Sequence, residues 1–277
     1  MGPGMETGFI GKIVTPIARM IVPCIFLAAN VLAATPVVKI ADGPLFNGSS
    51  NVHPNMVLSL SVEFPTVGMA YRGDNGTYNK TIEYVGYFNP LKCYTYSDGG
   101  YFSIFKAADA KTHECGGDSF SGNFMNWAAS SAIDILRYAL TGGDRVEDLA
   151  DSTILQRAVL KESFYAHDVY FPRRSVTAGG NVSAPNQVTP FKTGTLYIVS
   201  CRDRILFSDS KSTDGNCDTP AFKGDKKLGE YQVRVKVCDA AEGATRKDLC
   251  LKYGNNYKPV GEMQRNSEKI RFAAIGY

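Results

Sequence analysis

The chain has 277 residues, 44% of them hydrophobic and 21% charged, with a formal net charge of +3. That composition excludes a disordered polar chain and supplies enough apolar surface for one or two cored domains. So small a charge gives no electrostatic case for nucleic acid, which a clustered basic face would betray.

Residues 1–34 read as a secretory signal peptide. Lys12 and Arg19 form a positive start, Met20 to Leu32 is an apolar run, and Val31-Leu32-Ala33 offers a small-x-small cleavage site. The rival reading is a retained anchor, but the run is shorter than the roughly 20 residues a spanning helix needs. Cleavage removes Lys12, Arg19 and Glu6, so the charge falls to +2. Residues 35–53 are polar and turn-rich, a linker. Asn55 to Val62 (NMVLSLSV) alternates apolar and polar positions and is expected as a central strand. Tyr71 to Lys80, dense in Gly, Asp and Asn, is expected as an exposed turn. Ile82 to Phe88 and Cys93 to Phe105 mix aromatic with polar residues about Asn89-Pro90 and predict a small β-meander.

The stretch Phe120 to Gly143, FSGNFMNWAASSAIDILRYALTGG, carries the only Trp. Met125, Ala128, Ala129, Ala132, Ile135, Leu136, Ala139 and Leu140 share one face at helical spacing, and Phe124, Trp127 and Tyr138 widen it, which predicts one core helix. Ser121 or Asn123 can cap its start, and Gly142-Gly143 can end it with positive φ. Asp134 and Arg137, three apart, are expected to pair on the exposed strip. Asp151-Ser152 can cap a shorter helix reaching Leu160. Ser163 to Arg174 is aromatic and Ser175 to Pro190 reads as a loop. Thr195 to Cys201 and Gln232 to Cys238 are strands, with a polar, mobile segment from Ser208 to Lys227 between them. Gly261 to Glu268 reads as helix and Lys269 to Tyr277 as a buried strand. A core strand with no turn after it suggests a fragment of something longer.

Once Cys24 leaves with the signal, six cysteines remain, and an even number in an exported chain reads as disulfides. They fall into neighbouring couples, which predicts Cys93 with Cys115, Cys201 with Cys217 and Cys238 with Cys250. Zinc is disfavoured, because no C-x-x-C occurs and the His residues lie far from the couples. Arg72-Gly73-Asp74 is an RGD tripeptide able to offer a guanidinium and a carboxylate to an integrin-type receptor, though turn chemistry explains it as well. His167-Asp168 has no recognisable Ser or Cys nucleophile beside it. Asp209, Asp214 and Asp218 lack the ligand spacing of a calcium loop and read as solvated charges. N-x-[ST] sequons stand at Asn47, Asn75, Asn79 and Asn181.

The string FSGNFMNWAASSAIDILRYALTGGDRV, PNMVLSLSVEFPTVG from Pro54, GYFNPLKCYTY from Gly86, RVKVCDA near Cys238, and NYKPVGEMQR followed by IRFAAIGY together resemble the amino-terminal region of PilC/PilY proteins. These are large type IV pilus biogenesis factors and tip adhesins. The resemblance implies an α/β, von Willebrand factor A-like three-layer domain over residues 54–277. It would be incomplete at its C-terminal end and carry disulfide-braced, β-rich insertions near 82–115 and 164–250. In that fold an Asp-x-Ser-x-Ser site binds a metal, and the matching positions here are Ser61, Glu63 and Pro65, a poor remnant for a divalent cation. No cofactor is expected, because the family's calcium-bearing β-propeller is absent from this chain. The implied function is non-enzymatic: pilus biogenesis and tip-associated adhesion by protein contact. Expected partners are minor pilins or the assembly machinery, with a host receptor as a further candidate. The implied location is the periplasm, the outer-membrane surface or the pilus tip. A metal-dependent ligand-binding A domain is the alternative, and an exported hydrolase a weaker one.

Overall fold

The computed structural model describes residues 53–61, 68–72, 76–160, 163, 165, 167–211 and 227–276. The Phe120–Gly143 stretch forms two helices where the sequence pattern predicts one. Ser121 caps α1 (Gly122–Ala129), its hydroxyl accepting the Phe124 N–H at 3.2 Å. The chain then turns extended at Ser130, and Ser131 starts α2 (Ala132–Thr141) with a reciprocal capping box to Asp134. Tandem serines favour caps over helix interiors. The segment around Gly68–Ala70 takes up the freed backbone groups: Ala70 N–H donates to Ser130 O, and Ala132 N–H to Gly68 O. Asp134 is therefore buried in the cap, and Arg137 pairs with Asp144 at 2.6 Å, replacing the expected Asp134–Arg137 pair. At the far end Gly142 adopts φ 79°, where a Cβ would lie 2.5 Å from Val260 N.

In chain order the strands are β1 (Asn55–Leu60), β2 (Lys92–Tyr96), β3 (Phe102–Ala107), β4 (Phe120–Ser121), β5 (Arg145–Asp148), β6 (Thr153–Gln156) and β7 (Arg174–Thr177). There follow β8 (Thr195–Cys201), β9 (Arg204–Ser208), β10 (Lys227–Gln232), β11 (Arg234–Val237), β12 (Cys250–Tyr253), β13 (Asn256–Pro259) and β14 (Arg271–Gly276). One-turn helices α3 (Pro185–Val188), α4 (Ala240–Gly243) and α5 (Glu262–Arg265) complete the set, α5 falling within the expected Gly261–Glu268 helix. A mixed sheet runs β4-β2-β3-β11-β6-β5, with β3 and β11 parallel and the other neighbours antiparallel. An antiparallel sheet runs β10-β9-β8-β7, and β12 and β13 form a hairpin.

The core lies where α1 meets both larger sheets. Every residue of α1 is buried. Phe124 stacks at 6.4 Å on Phe207 of β9, while Phe120 touches Phe102 of β3 at 5.3 Å and Phe207 at 5.8 Å. Rings of this size contribute about 1.5–3 kcal/mol each when fully buried. Gly122 lets the loop press close, since a Cβ there would sit 2.1 Å from Asn89 O.

Several expectations need correcting. Residues 151–160 hold strand β6 in place of a helix: Thr153 and Ile154 are β-branched, and the segment finds ladder partners in β5 and β11. Ile82 to Phe88 is not a strand, because side chains described below take its backbone bonds. Ser175 to Pro190 contains most of β7 and all of α3, the latter opened by Pro185. β1 and β14, whose sequences predict core strands, are both largely exposed. They pair in parallel with one another, Asn55 opposite Arg271 through Leu60 opposite Gly276. Two disulfides are closed, Cys93–Cys115 and Cys238–Cys250. Cys201 is also disulfide-bonded, and Cys217 lies outside the described residues.

Candidate interaction surface

Two asparagines in the NFMNWA stretch build the wall of the candidate site. Spaced three apart on α1, they face the same way and are fully buried. Asn123 accepts the Tyr84 N–H at 2.7 Å and donates to Ile82 O at 2.8 Å. Asn126 accepts the Phe88 N–H at 3.0 Å and donates to Tyr84 O at 2.8 Å and Phe88 O at 2.9 Å. These amides thus act as a strand partner for residues 82–88, which explains why an aromatic, β-rich segment runs irregularly there.

Arg246 holds the same segment from its other side. Its guanidinium donates to Gly86 O, Tyr87 O and Phe88 O at 2.8, 2.8 and 3.1 Å, and pairs with buried Glu242 at 3.1 Å. Glu242 in turn accepts the Cys238 N–H at 2.8 Å, beside the Cys238–Cys250 disulfide. A second buried cation, Arg174, lies 4.3 Å over the Trp127 ring and donates to Trp127 O at 2.6 Å and to Tyr71 O. Burial pulls the Arg174 pKa down to about 9, which leaves it charged at neutral pH.

On this frame sits an open cleft of about 250 Å³, lined by Tyr71, Arg72, Thr77, Ile82, Tyr84 and Trp127 together with Ala70. Tyr71 and Tyr84 meet edge to face at 4.8 Å. The Tyr71 hydroxyl donates to Val85 O at 2.5 Å, and burial pushes its pKa up to about 12, so it remains a neutral donor. Arg72 donates to Tyr170 O at 2.9 Å. The structure therefore gathers at one place the first residue of the RGD tripeptide, the Ile82–Phe88 segment and, through the Tyr170 carbonyl, the aromatic Ser163–Arg174 segment. Aromatic walls with an arginine at the rim are the composition that protein contact surfaces favour.

The remaining sequence candidates fall elsewhere. Gly73, Asp74, Glu63 and Pro65 lie outside the described residues, as do Asn47, Asn75, Asp214 and Asp218. Ser61 follows the end of β1 and is half-buried. His167 accepts the Val169 N–H through Nδ1 at 3.1 Å and packs on Tyr170, with Asp168 exposed in the turn. Asp209 and Asn181 are exposed. The Asn79 side chain accepts from the Thr81 N–H and hydroxyl. Among the described residues no group of three His, Cys, Asp or Glu is placed to hold a metal, and no helix is long and apolar enough to cross a membrane. The buried arginines, which organise the cleft, escaped the sequence reading because nothing local separates Arg174 or Arg246 from a solvated cation.

Fold and cleft together define a disulfide-braced α/β module with an aromatic cleft on its surface. A family model described as PilY1 homolog, small alpha/beta domain, matches residues 75–223. The chain is 34% identical over 262 residues to a protein of Xylella fastidiosa named Type IV pilus biogenesis factor PilY1 homolog, an alignment covering 87% of this chain and 21% of that one. A second Xylella fastidiosa protein of the same name is 27% identical over 218 residues, covering 69% of this chain and 15% of its own. The chain belongs to the PilY1 family, as its sequence motifs imply. It spans about a fifth of the length of the first of these relatives. No solved structure matches it.

Proposed function

We propose that the chain serves type IV pilus biogenesis and tip-associated adhesion by protein–protein contact, without catalysis, and that the Tyr71–Trp127 cleft is part of its contact surface. The carrying observation is the alignment of 87% of the chain with a named pilus biogenesis factor. The cleft supports the reading because its floor, Trp127, is held by Arg174 and its wall, Tyr84, by Asn123 and Asn126, while Arg72 and Ile82 stay exposed. Minor pilins or the assembly machinery are the proposed partners, with a host receptor second. The disulfides fit an oxidising compartment, and the periplasm, outer-membrane surface or pilus tip is proposed.

The test is complementation of a deletion strain with the wild-type gene or with Arg72→Glu combined with Ile82→Asp, scored by surface pili and by pull-down of minor pilins. Loss of both readouts, with the purified double variant melting like wild type, is the expected result. Full piliation and pilin capture by that variant sinks the assignment of the cleft.

The parallel pairing of β1 with β14 supports a finer reading, in which these strands begin a doubly wound, von Willebrand A-like sheet over residues 54–277. Because Ser61 stands where that fold's metal site has Asp, we take this domain to be metal-independent. Thermal melts with added Mg²⁺, Ca²⁺ or Mn²⁺ should coincide with the metal-free melt, and a saturable upward shift favours the metal-dependent alternative.

A further inference from the structure

Arg157 follows β6 and is 1% exposed, yet Nε, Nη1 and Nη2 all lack a hydrogen-bond partner. Its neighbours are rings: the guanidinium carbon lies 5.3 Å from the centroids of both Tyr165 and Phe171. Ring faces attract a cation, but they accept no N–H in the way an oxygen does. The contrast with the other buried arginines is sharp. Arg246 spends its guanidinium on three carbonyls and Glu242, and Arg174 on two carbonyls. A buried charge left without acceptors is costly, and such an orphan in a folded protein calls for a missing water or ion.

Against Arg157 lies a cavity of about 10 Å³, lined also by Ser130, Asp134, Tyr87, Phe88 and Val233, all of them buried. That volume is about one water-sized sphere. Asp134 is itself buried, with one carboxylate oxygen on the Ala158 N–H at 2.7 Å and the other on Ser131. Oδ1, which accepts only the Ala158 N–H, keeps a free lone pair, whereas Oδ2 is taken up by the Ser131 N–H and hydroxyl. Cation, anion and hydroxyl thus line a space too small for a second chemical group.

We propose that this cavity is an internal water site, in which one ordered water accepts a hydrogen bond from the Arg157 guanidinium and donates to the Asp134 carboxylate and the Ser130 hydroxyl. The water completes an ion pair that the side chains do not close directly. It ties the end of β6 to the first turn of α2. Through Arg157 it also fixes Tyr165 and Phe171, the rings beside the Tyr170 carbonyl that receives Arg72. The site stands whether or not the chain acts at a pilus.

Two measurements on the purified full chain test it. A crystal structure at a resolution that shows waters, with a parallel bromide soak, should give a density peak about 2.7–3.2 Å from both Arg157 and Asp134 and no anomalous bromide signal. An empty cavity overturns the proposal, and so does a bromide peak, which makes the site an anion site. Oxygen-17 magnetic relaxation dispersion should lose the amplitude of one long-lived water in Arg157→Met, and an unchanged amplitude also overturns it. Should that variant fail to fold, the density beside wild-type Arg157 decides alone.

Discussion

Replacing Asn126 by alanine removes three hydrogen bonds from a site with no access to water, and the structure sets the size of the effect. The Phe88 N–H, Tyr84 O and Phe88 O all lose their side-chain partner. Phe88 O keeps a bond from Arg246 at 3.1 Å, so two groups are left short of an acceptor or donor. A buried group stranded in this way costs about 1–3 kcal/mol, and the small cavity left by the amide adds about 1 kcal/mol. The expected loss is therefore about 3–7 kcal/mol, a large share of the roughly 5–15 kcal/mol that holds a typical domain together. Urea unfolding followed by the emission of Trp127, the sole tryptophan, measures it directly. Exposed Asn181→Ala is the control and should change the midpoint hardly at all. If Asn126→Ala loses less than about 1 kcal/mol, residues 82–88 are held by something other than these amides and the account of the cleft wall is wrong.

Arg246→Leu strands buried Glu242 beside three carbonyls and should cost about 3–5 kcal/mol in the same assay, whereas a loss under about 1 kcal/mol means the pair is not what fixes the segment. Opening Cys93–Cys115 with paired serines should cost about 3 kcal/mol, roughly 0.5 kcal/mol more than opening Cys238–Cys250, because the spans are 22 and 12 residues; the reverse order points to native-state strain in place of chain entropy. Burial raises the Asp134 pKa above its ordinary 3.8, against hydrogen bonds from Ser131 and Ala158 that lower it. The folded state then holds that proton more tightly than the unfolded chain, so the stability it contributes is full below the ordinary value and is lost as pH rises through the higher folded one. The stability of wild type relative to Asp134→Asn should accordingly fall as pH rises above the ordinary carboxylate value of 3.8, and a rise in that direction refutes the assignment.

What the sequence disclosed and what it hid divide along physical lines. The apolar run over Met125, Trp127, Ala128 and Ala129 was legible as core, whereas Ala132, Ile135, Leu136 and Leu140 of the same expected face are only half-buried and Ala139 is exposed; the Gly142 stop was legible because positive φ selects glycine. Strands β8 and β11 were legible from β-branched alternation. The break at Ser130-Ser131 was not, since the decisive partner is the Gly68–Ala70 backbone, some 60 positions away in sequence. Nor was the irregular course of residues 82–88, whose composition is that of a strand but whose hydrogen bonds go to Asn123, Asn126 and Arg246. Periodicity reports which side chains meet apolar surroundings. It is silent on which backbone groups are satisfied by distant side chains, and the cleft is built from those.

That construction bears on how the cleft works. Its floor, Trp127, sits on α1 beneath Arg174, and its wall, Tyr84, is held by Asn123 and Asn126, so the groups that would meet a partner are ordered before any partner arrives. Ordering in advance lowers the entropy lost on association, which favours contact through a small patch. The same coupling means that a substitution at Asn126 or Arg174 weakens the cleft and the fold together. A phenotype from either residue therefore says nothing about contact unless stability is measured beside it. Arg72 and Ile82 differ because both stand exposed at the rim: Arg72 reaches out to the Tyr170 carbonyl and Ile82 is 40% exposed. Changes there separate recognition from folding, which is why the decisive interaction test falls on the rim and the decisive folding test on the asparagines behind it.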